Sequence, residues 1–180
     1  MQVLSFDKSV EYLAERGVAR GQVGWNLVAP NQTRVDLVTA PSQGLASGHI
    51  VPAARWMVRH LTQAGPYKVL LLLDEQGVWP SAEDWLMPML IRGRWGHMGA
   101  DFLEFPGTLL QPFEAGELTS LLACAICFSL GFIAVDELGY VAVRINHDGK
   151  GWISSTDPQE LAKSAEFWAN LARKRERGQT

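Results

Sequence analysis

Five consecutive apolar residues, Val69 to Leu73, are preceded by Lys68 and halted at Asp74-Glu75, and no other feature constrains the fold as strongly. A run without polar alternation cannot leave one face in water, so it is expected as a central strand of a sheet buried on both sides. The rest of the chain must then supply amphipathic elements for two faces. At 180 residues, 47% hydrophobic and 19% charged, it has the apolar content for a substantial core and reads as one globular domain over residues 1–180.

Helix signals recur along the chain. Residues 5–16 place Ser5 at an N-cap and Phe6, Val10 and Leu13 on one stripe, with Gly17 ending the helix. Residues 52–64 repeat the pattern with Ala54, Met57, Val58 and Leu61, with Trp56 at the margin, and stop at Gly65-Pro66. Ser81-x-x-Asp84 is a capping pattern opening a helix over 82–92, where Pro88 demands a kink or a later start. Residues 117–130 are apolar almost all round, as an enclosed helix would be. The last helix is capped by Asp157, with Pro158 first, Glu160 third, and Leu161, Ala165, Trp168 and Ala172 as its buried stripe.

Strand signals lie between. Residues 23–29 and 34–39 are expected to pair as a hairpin across Pro30-Asn31-Gln32, and short extended pieces flank Pro106-Gly107. Residues 132–135 and 140–145 form a second hairpin across Asp136 to Gly139, and the turn Asn146 to Gly149 leads to Trp152 and Ile153. Residues 41–48 read as a mobile loop and 174–180 as a frayed tail. The sum is a single α+β domain with a small mixed or mostly antiparallel sheet and about five helices packed on it.

Several function classes are disfavoured. The net charge is −3, and basic residues are scattered apart from Arg173 to Arg177, whereas nucleic-acid binding needs a concentrated basic face. The longest apolar run, Leu121 to Val135, contains Ser129 and Gly131 and falls short of the roughly 20 residues of a membrane span. The start of the chain has acidic residues and no apolar signal segment, and there are two cysteines, so a reducing cytoplasmic setting is expected. Cys124 and Cys127 have redox or metal spacing but sit inside a helical run and lack two further zinc ligands, so they are expected as buried structural thiols.

Histidines 49, 60, 97 and 147 stand at no metal-ligand spacing from one another. His60 falls in the last turn of its helix, where histidine is ordinary, and His147 sits in a turn beside Asp148. The serine of Gly44 to Gly48 lacks the elbow spacing of hydrolases, and Gly17, Gly21 and Gly24 miss the dinucleotide pattern. No cofactor is implied.

What remains clusters after the central strand. Asp74, Glu75 and Glu83 are carboxylates that a divalent cation could use, giving a metal-assisted hydrolase or transferase as the alternative function. Tryptophan is abundant, with seven in the chain. Most of these rings are expected in the core. Trp79, Trp85 and Trp95, interleaved with Arg92, are the interface-anchor type, and any that are exposed imply a protein partner or self-association as a homodimer.

The pattern LLLLDEQGVWPSAEDW, then FPGTLLQPFEAGELTSLLACAICFSLGF and the hairpin FIAVDELGYVAVRINHDGKGWI, covers residues 67–153. In these segments the chain resembles a family of small bacterial cytosolic proteins similar to the immunity proteins of interbacterial toxin systems. That resemblance implies a catalytically inert protein that neutralises a cognate toxin by occlusion. Asp74, Glu75, Glu83, Asp101 and Glu104 would then meet a basic toxin surface.

Overall fold

A computed structural model describes residues 1–21, 24–29, 33–38, 47–63, 65–73, 107–127, 130–146 and 149–176. Its organising element is the strand anticipated from the apolar run, β5 (Val69–Leu73), every residue of which is buried. It lies third in a seven-stranded sheet of order β1-β6-β5-β7-β8-β9-β4. The other members are β1 (Gln2–Leu4), β4 (Thr33–Val38), β6 (Gly107–Leu110), β7 (Phe132–Asp136), β8 (Val141–Ile145) and β9 (Lys150–Ser155). All pairings are antiparallel. The sheet is thus larger than the sequence suggested and wholly antiparallel among the described residues, because β1 and β4 extend it at its two edges.

Alternation along the strands shows why β5 has no polar positions. Val69, Leu71 and Leu73 join Phe132, Ala134, Val141, Val143 and Ile153 on one face, packed under α2 (Ser47–Thr62), α3 (Ala115–Cys127) and α4 (Pro158–Glu176). Leu70 and Leu72 join Ile133, Val135, Ala142 and Trp152 on the other, covered by Leu13 of α1 (Phe6–Glu15) and by Val18 and Trp25 of a small ribbon, β2 (Val18–Gly21) with β3 (Gly24–Leu27). Antiparallel sheets commonly leave one face wet. Here helices cover one face and a helix with a two-stranded ribbon covers the other, so a period-2 strand reads as uniformly apolar.

Local signals set the element ends. Ser5 caps α1, its hydroxyl accepting from the Lys8 amide at 3.4 Å. Gly17 ends the helix at φ +76°, and a Cβ there would lie 2.3 Å from that of Ala29, so glycine is required twice over. Ser9, fully buried, donates to Ser5 O (2.8 Å) and accepts from the Gly107 amide (3.0 Å), joining α1 to β6.

Four α-helices are present among the described residues, with a 3₁₀ turn (Pro112–Glu114) before α3. The expected helix over 82–92, with its Ser81 cap and Pro88, lies outside the described residues. So do residues 41–46 of the expected loop, while Ser47 and Gly48 already belong to α2. The helix begins upstream of Pro52 because buried His49 and Ala53, one turn apart, continue the stripe of Ala54, Met57, Val58 and Leu61. α4 is helical to Glu176, so the part of the expected frayed tail over 174–176 is helix, and 177–180 are outside the described residues.

The expected hairpin of 23–29 with 34–39 does not form. β3 turns back on β2, with Gly21 opposite Gly24 and Val18 opposite Leu27, while β4 pairs at the far edge with β9, Val35 opposite Ile153. Gly21 and Gly24 stand at the spacing of the tightest hairpins, which wins over the Pro30 turn signal. β4 alternates exposed Arg34 and Asp36 with the packed Val35, as an edge strand should.

α3 also corrects an expectation. Only Leu118, Leu121, Leu122 and Ala125 are buried, a single stripe facing α2 and the sheet. Cys124 is half-buried and Cys127, the last residue of the helix, is exposed, so the two are not both buried thiols. Burial, with Cys127 alongside, raises the Cys124 thiol above its usual range. That environment is opposite to one that would activate a thiolate.

Candidate functional site

The carboxylates and aromatic residues singled out in the sequence, Asp74, Glu75, Trp79, Glu83, Trp85, Arg92, Trp95, Asp101 and Glu104, lie outside the described residues, as do His97 and His147. Their points of attachment are fixed. The chain leaves the sheet at Leu73, opposite Phe132, and returns at Gly107, so both attachments lie at the same end of β5 and β6. The four described tryptophans, Trp25, Trp56, Trp152 and Trp168, are buried or half-buried and serve the core. Among the described residues, no group of three or more His, Cys, Asp or Glu could hold a metal.

At the opposite end of the sheet, where Val69 faces Asp136 and Val141 faces Ser155, the structure assembles a polar site from four separate stretches of chain. α2 contributes Trp56, Arg59 and His60, with Gln63 just past its end; the β7–β8 turn contributes Tyr140; β9 contributes Ser154 and Ser155, followed by Thr156; α4 contributes Glu160, Ser164 and Phe167, with Asp157 as its cap. Helical spacing explains the groupings. Trp56, His60 and Gln63 fall at i, i+4, i+7 on one face, and Glu160, Ser164 and Phe167 repeat that interval on the facing helix.

His60 is buried between α2, β9 and α4 at this end of the sheet. It is 2% exposed. Its Nε2 lies 3.4 Å from Ser154 O, and its Nδ1 lies 3.2 Å from Ser164 Oγ and 3.4 Å from Gln63 Nε2. A carbonyl can only accept, so the neutral tautomer with its proton on Nε2 fits, leaving Nδ1 to accept. Burial pushes its pKa down from 6.5 to about 4, outweighing the opposing pull of Ser154 O and Glu160. Trp56 stacks on His60 (centroids 5.1 Å, 16°) and on Phe167 (4.9 Å, 11°), with Trp168 edge-on to Trp56. A shielded, neutral imidazole with both nitrogens engaged is a packing and registering element between α2, β9 and α4. Its burial corrects the expectation of an ordinary last-turn histidine, because β9 and α4 pack over a helix end that sequence position alone leaves open.

A cleft of about 300 Å³ opens at the same end of the sheet, lined by Arg59, Gln63, Tyr140, Thr156, Asp157 and Glu160 among others, with His60 outside its lining. Its rim is built by the β7–β8 turn. Buried Asp136 accepts the Val141 amide at 2.9 Å and its carbonyl accepts the Gly139 amide at 3.1 Å, with Gly139 at φ +70°. Burial raises the Asp136 carboxyl pKa despite these amides. The Thr156 amide donates to Tyr140 O at 2.9 Å, locking the rim to the end of β9. Tyr140 stands 43% exposed there, beside the exposed Leu138. Exposed Arg59 of α2 lines the same cleft.

The carboxylates of the lining are engaged within the chain. Asp157 Oδ1 caps α4 by accepting the amides of Gln159 (2.8 Å) and Glu160 (3.5 Å), and Glu160 pairs with Lys163. Arg59 pairs with no carboxylate among the described residues. Sequence reasoning missed Arg59, Tyr140 and Thr156 as a group, because no local motif links positions 59, 140 and 156 and only the strand order joins them.

No protein-family model, curated protein or solved structure matches this chain. Among the described residues, no helix is long and apolar enough to cross a membrane.

Proposed function

We propose that the chain is a non-catalytic protein-binding module that docks its partner over the cleft between α2, the β7–β8 turn and the N-terminus of α4. One observation carries the reading. Exposed Tyr140 and Arg59 both line a cleft, and the Tyr140 backbone is tied to the end of β9 by the Thr156 amide. Tyrosine and arginine around a pocket are the residue types that dominate binding energy at interfaces, because each buries large area or several donors at little entropic cost. The site's histidine, shielded and neutral, is poorly placed to move protons.

The resemblance of residues 67–153 to immunity proteins extends this proposal: the partner would be a toxin domain met in the cytoplasm. The acidic group Asp74, Glu75, Glu83, Asp101 and Glu104 would steer a basic surface of that partner. Support for this extension is the sequence pattern alone.

The test is affinity capture of the tagged full chain from lysate of its own source, wild type beside Tyr140→Ala. A partner retained stoichiometrically by the wild type and lost from the variant is the expected result. Equal retention by the two proteins would refute the placement of the interface.

A further inference from the structure

We propose that Cys124 and Cys127, in the last turn of α3, form a two-sulfur site for a soft closed-shell cation of the copper(I) class. Both thiols are reachable, Cys124 half-buried at the margin of the core and Cys127 exposed. They are the two cysteines of the chain, and they stand at i and i+3 of one helix, which makes them neighbours on its surface. The Leu130 amide donates to Ala125 O at 2.8 Å, so the turn that carries them is closed rather than frayed. From Cys127 the chain runs into β7 at Phe132, opposite Leu73, which puts the pair at the end of the sheet away from the Tyr140 cleft. The site is therefore independent of the docking role.

Spacing decides between the two uses of such a pair. Cβ atoms three residues apart on a helix stand about 5–6 Å from each other, whereas a disulfide needs them about 3.5–4.5 Å apart. Closing one would pull the end of α3 out of helical geometry. A cation bridged by two sulfurs spans about 4.6 Å from sulfur to sulfur at metal–sulfur bonds of about 2.3 Å, which the two side chains reach from an undistorted backbone. Electrostatics points the same way. The last turn of α3 has no basic residue, and a helix C-terminus carries negative partial charge. Burial, with Cys127 alongside, holds Cys124 protonated above its usual range, so a bare thiolate is disfavoured there. An arriving cation displaces one proton from each thiol to solvent and is itself favoured by the negative helix end. Ligand count then sets the class. Zinc and iron–sulfur centres take four donors, and among the described residues no group of three or more His, Cys, Asp or Glu could hold a metal. Two sulfurs alone suit a soft ion of low coordination, for which copper(I) is the type.

The experiment titrates the reduced full chain, without oxygen, with copper(I) alone and, in a parallel series, with zinc(II) alone. Binding is read from the ultraviolet thiolate-to-copper charge-transfer band and from the stoichiometry in native mass spectrometry. One copper ion per chain is expected, with zinc held at least about a hundredfold more weakly. Cys124→Ser and Cys127→Ser are each expected to weaken copper binding at least about a hundredfold, since residues that merely support a ligand already cost about 10–100-fold. Cys127 is exposed, so its variant is expected to keep the urea midpoint of the wild type, which separates a lost ligand from a lost fold. No saturable band, undiminished binding by the serine variants, zinc bound as tightly as copper, or one ion shared by two chains would each overturn the site. So would ready closure of a Cys124–Cys127 disulfide by oxidised glutathione with the helix content unchanged.

Discussion

Acidification should weaken this fold through one residue, and the size of the effect follows from the burial of His60. In the unfolded chain its imidazole has the ordinary pKa of 6.5, and in the fold burial lowers it to about 4. Between those values the unfolded state binds a proton that the folded state refuses, so stability is complete above about pH 6.5 and falls as the pH is lowered toward 4. Weighing the two titrations gives a loss of about 2 kcal/mol by about pH 5 and about 3 kcal/mol once the folded pKa is passed. Against a domain stability of about 5–15 kcal/mol this is a large fraction.

The assay is urea unfolding followed by tryptophan fluorescence at about pH 7.5 and about pH 5, for the wild type and for His60→Leu. Absolute stabilities will differ, because the variant leaves Ser164 and Gln63 without their ring partner. The informative quantity is the change with pH, in which the other histidines and Asp136 cancel between the two proteins. The wild type is expected to lose about 2 kcal/mol more than the variant over that interval. An identical pH dependence in both would refute a buried, neutral His60 wedged between α2, β9 and α4.

Two further expectations concern the frame of the molecule. Gly107→Ala would place a Cβ 2.3 Å from Ser9 Oγ at the contact that joins α1 to β6. Overpacking of this kind costs about 1–3 kcal/mol, read as a lowered urea midpoint; an unchanged midpoint would show that the helix does not bear on the strand as described. Native-state alkylation with iodoacetamide should modify Cys127 first and Cys124 slowly, following their exposure and the raised Cys124 pKa. Equal rates, or protection of both, would contradict the assigned end and face of α3.

Much of the frame was legible in local chemistry. Ser5, Gly17, Asp157 and Pro158 mark helix ends by capping and backbone geometry, which act within a few residues. The hairpin of β7 and β8 was signalled by its turn, and the two-sided burial of β5 by the absence of polar alternation. What escaped was pairing at a distance. β1 is three residues long and is a strand only because β6 lies beside it, and β4 chose β9 over the nearer β3. The burial of His60 was illegible for the same reason, since its partners Ser154 and Ser164 lie some hundred positions away. The cleft joins four stretches that no spacing rule connects. The segment the sequence advertised, 74–106, lies outside the described residues, and its two attachments are at the opposite end of the sheet from the cleft.

We propose that this protein acts by docking a partner over the cleft lined by Tyr140 and Arg59. The most direct measurement is calorimetric titration of the captured partner into wild type, Tyr140→Ala, and the control Phe113→Ala. Phe113 is 85% exposed, beside the β1 edge of the sheet, and is a conspicuous apolar side chain remote from the cleft in the strand order. An affinity lowered about thirtyfold or more by Tyr140→Ala, a loss of about 2 kcal/mol typical of a hot spot, and left unchanged by Phe113→Ala is expected. Undiminished affinity of Tyr140→Ala, with the loss appearing in Phe113→Ala, would contradict it.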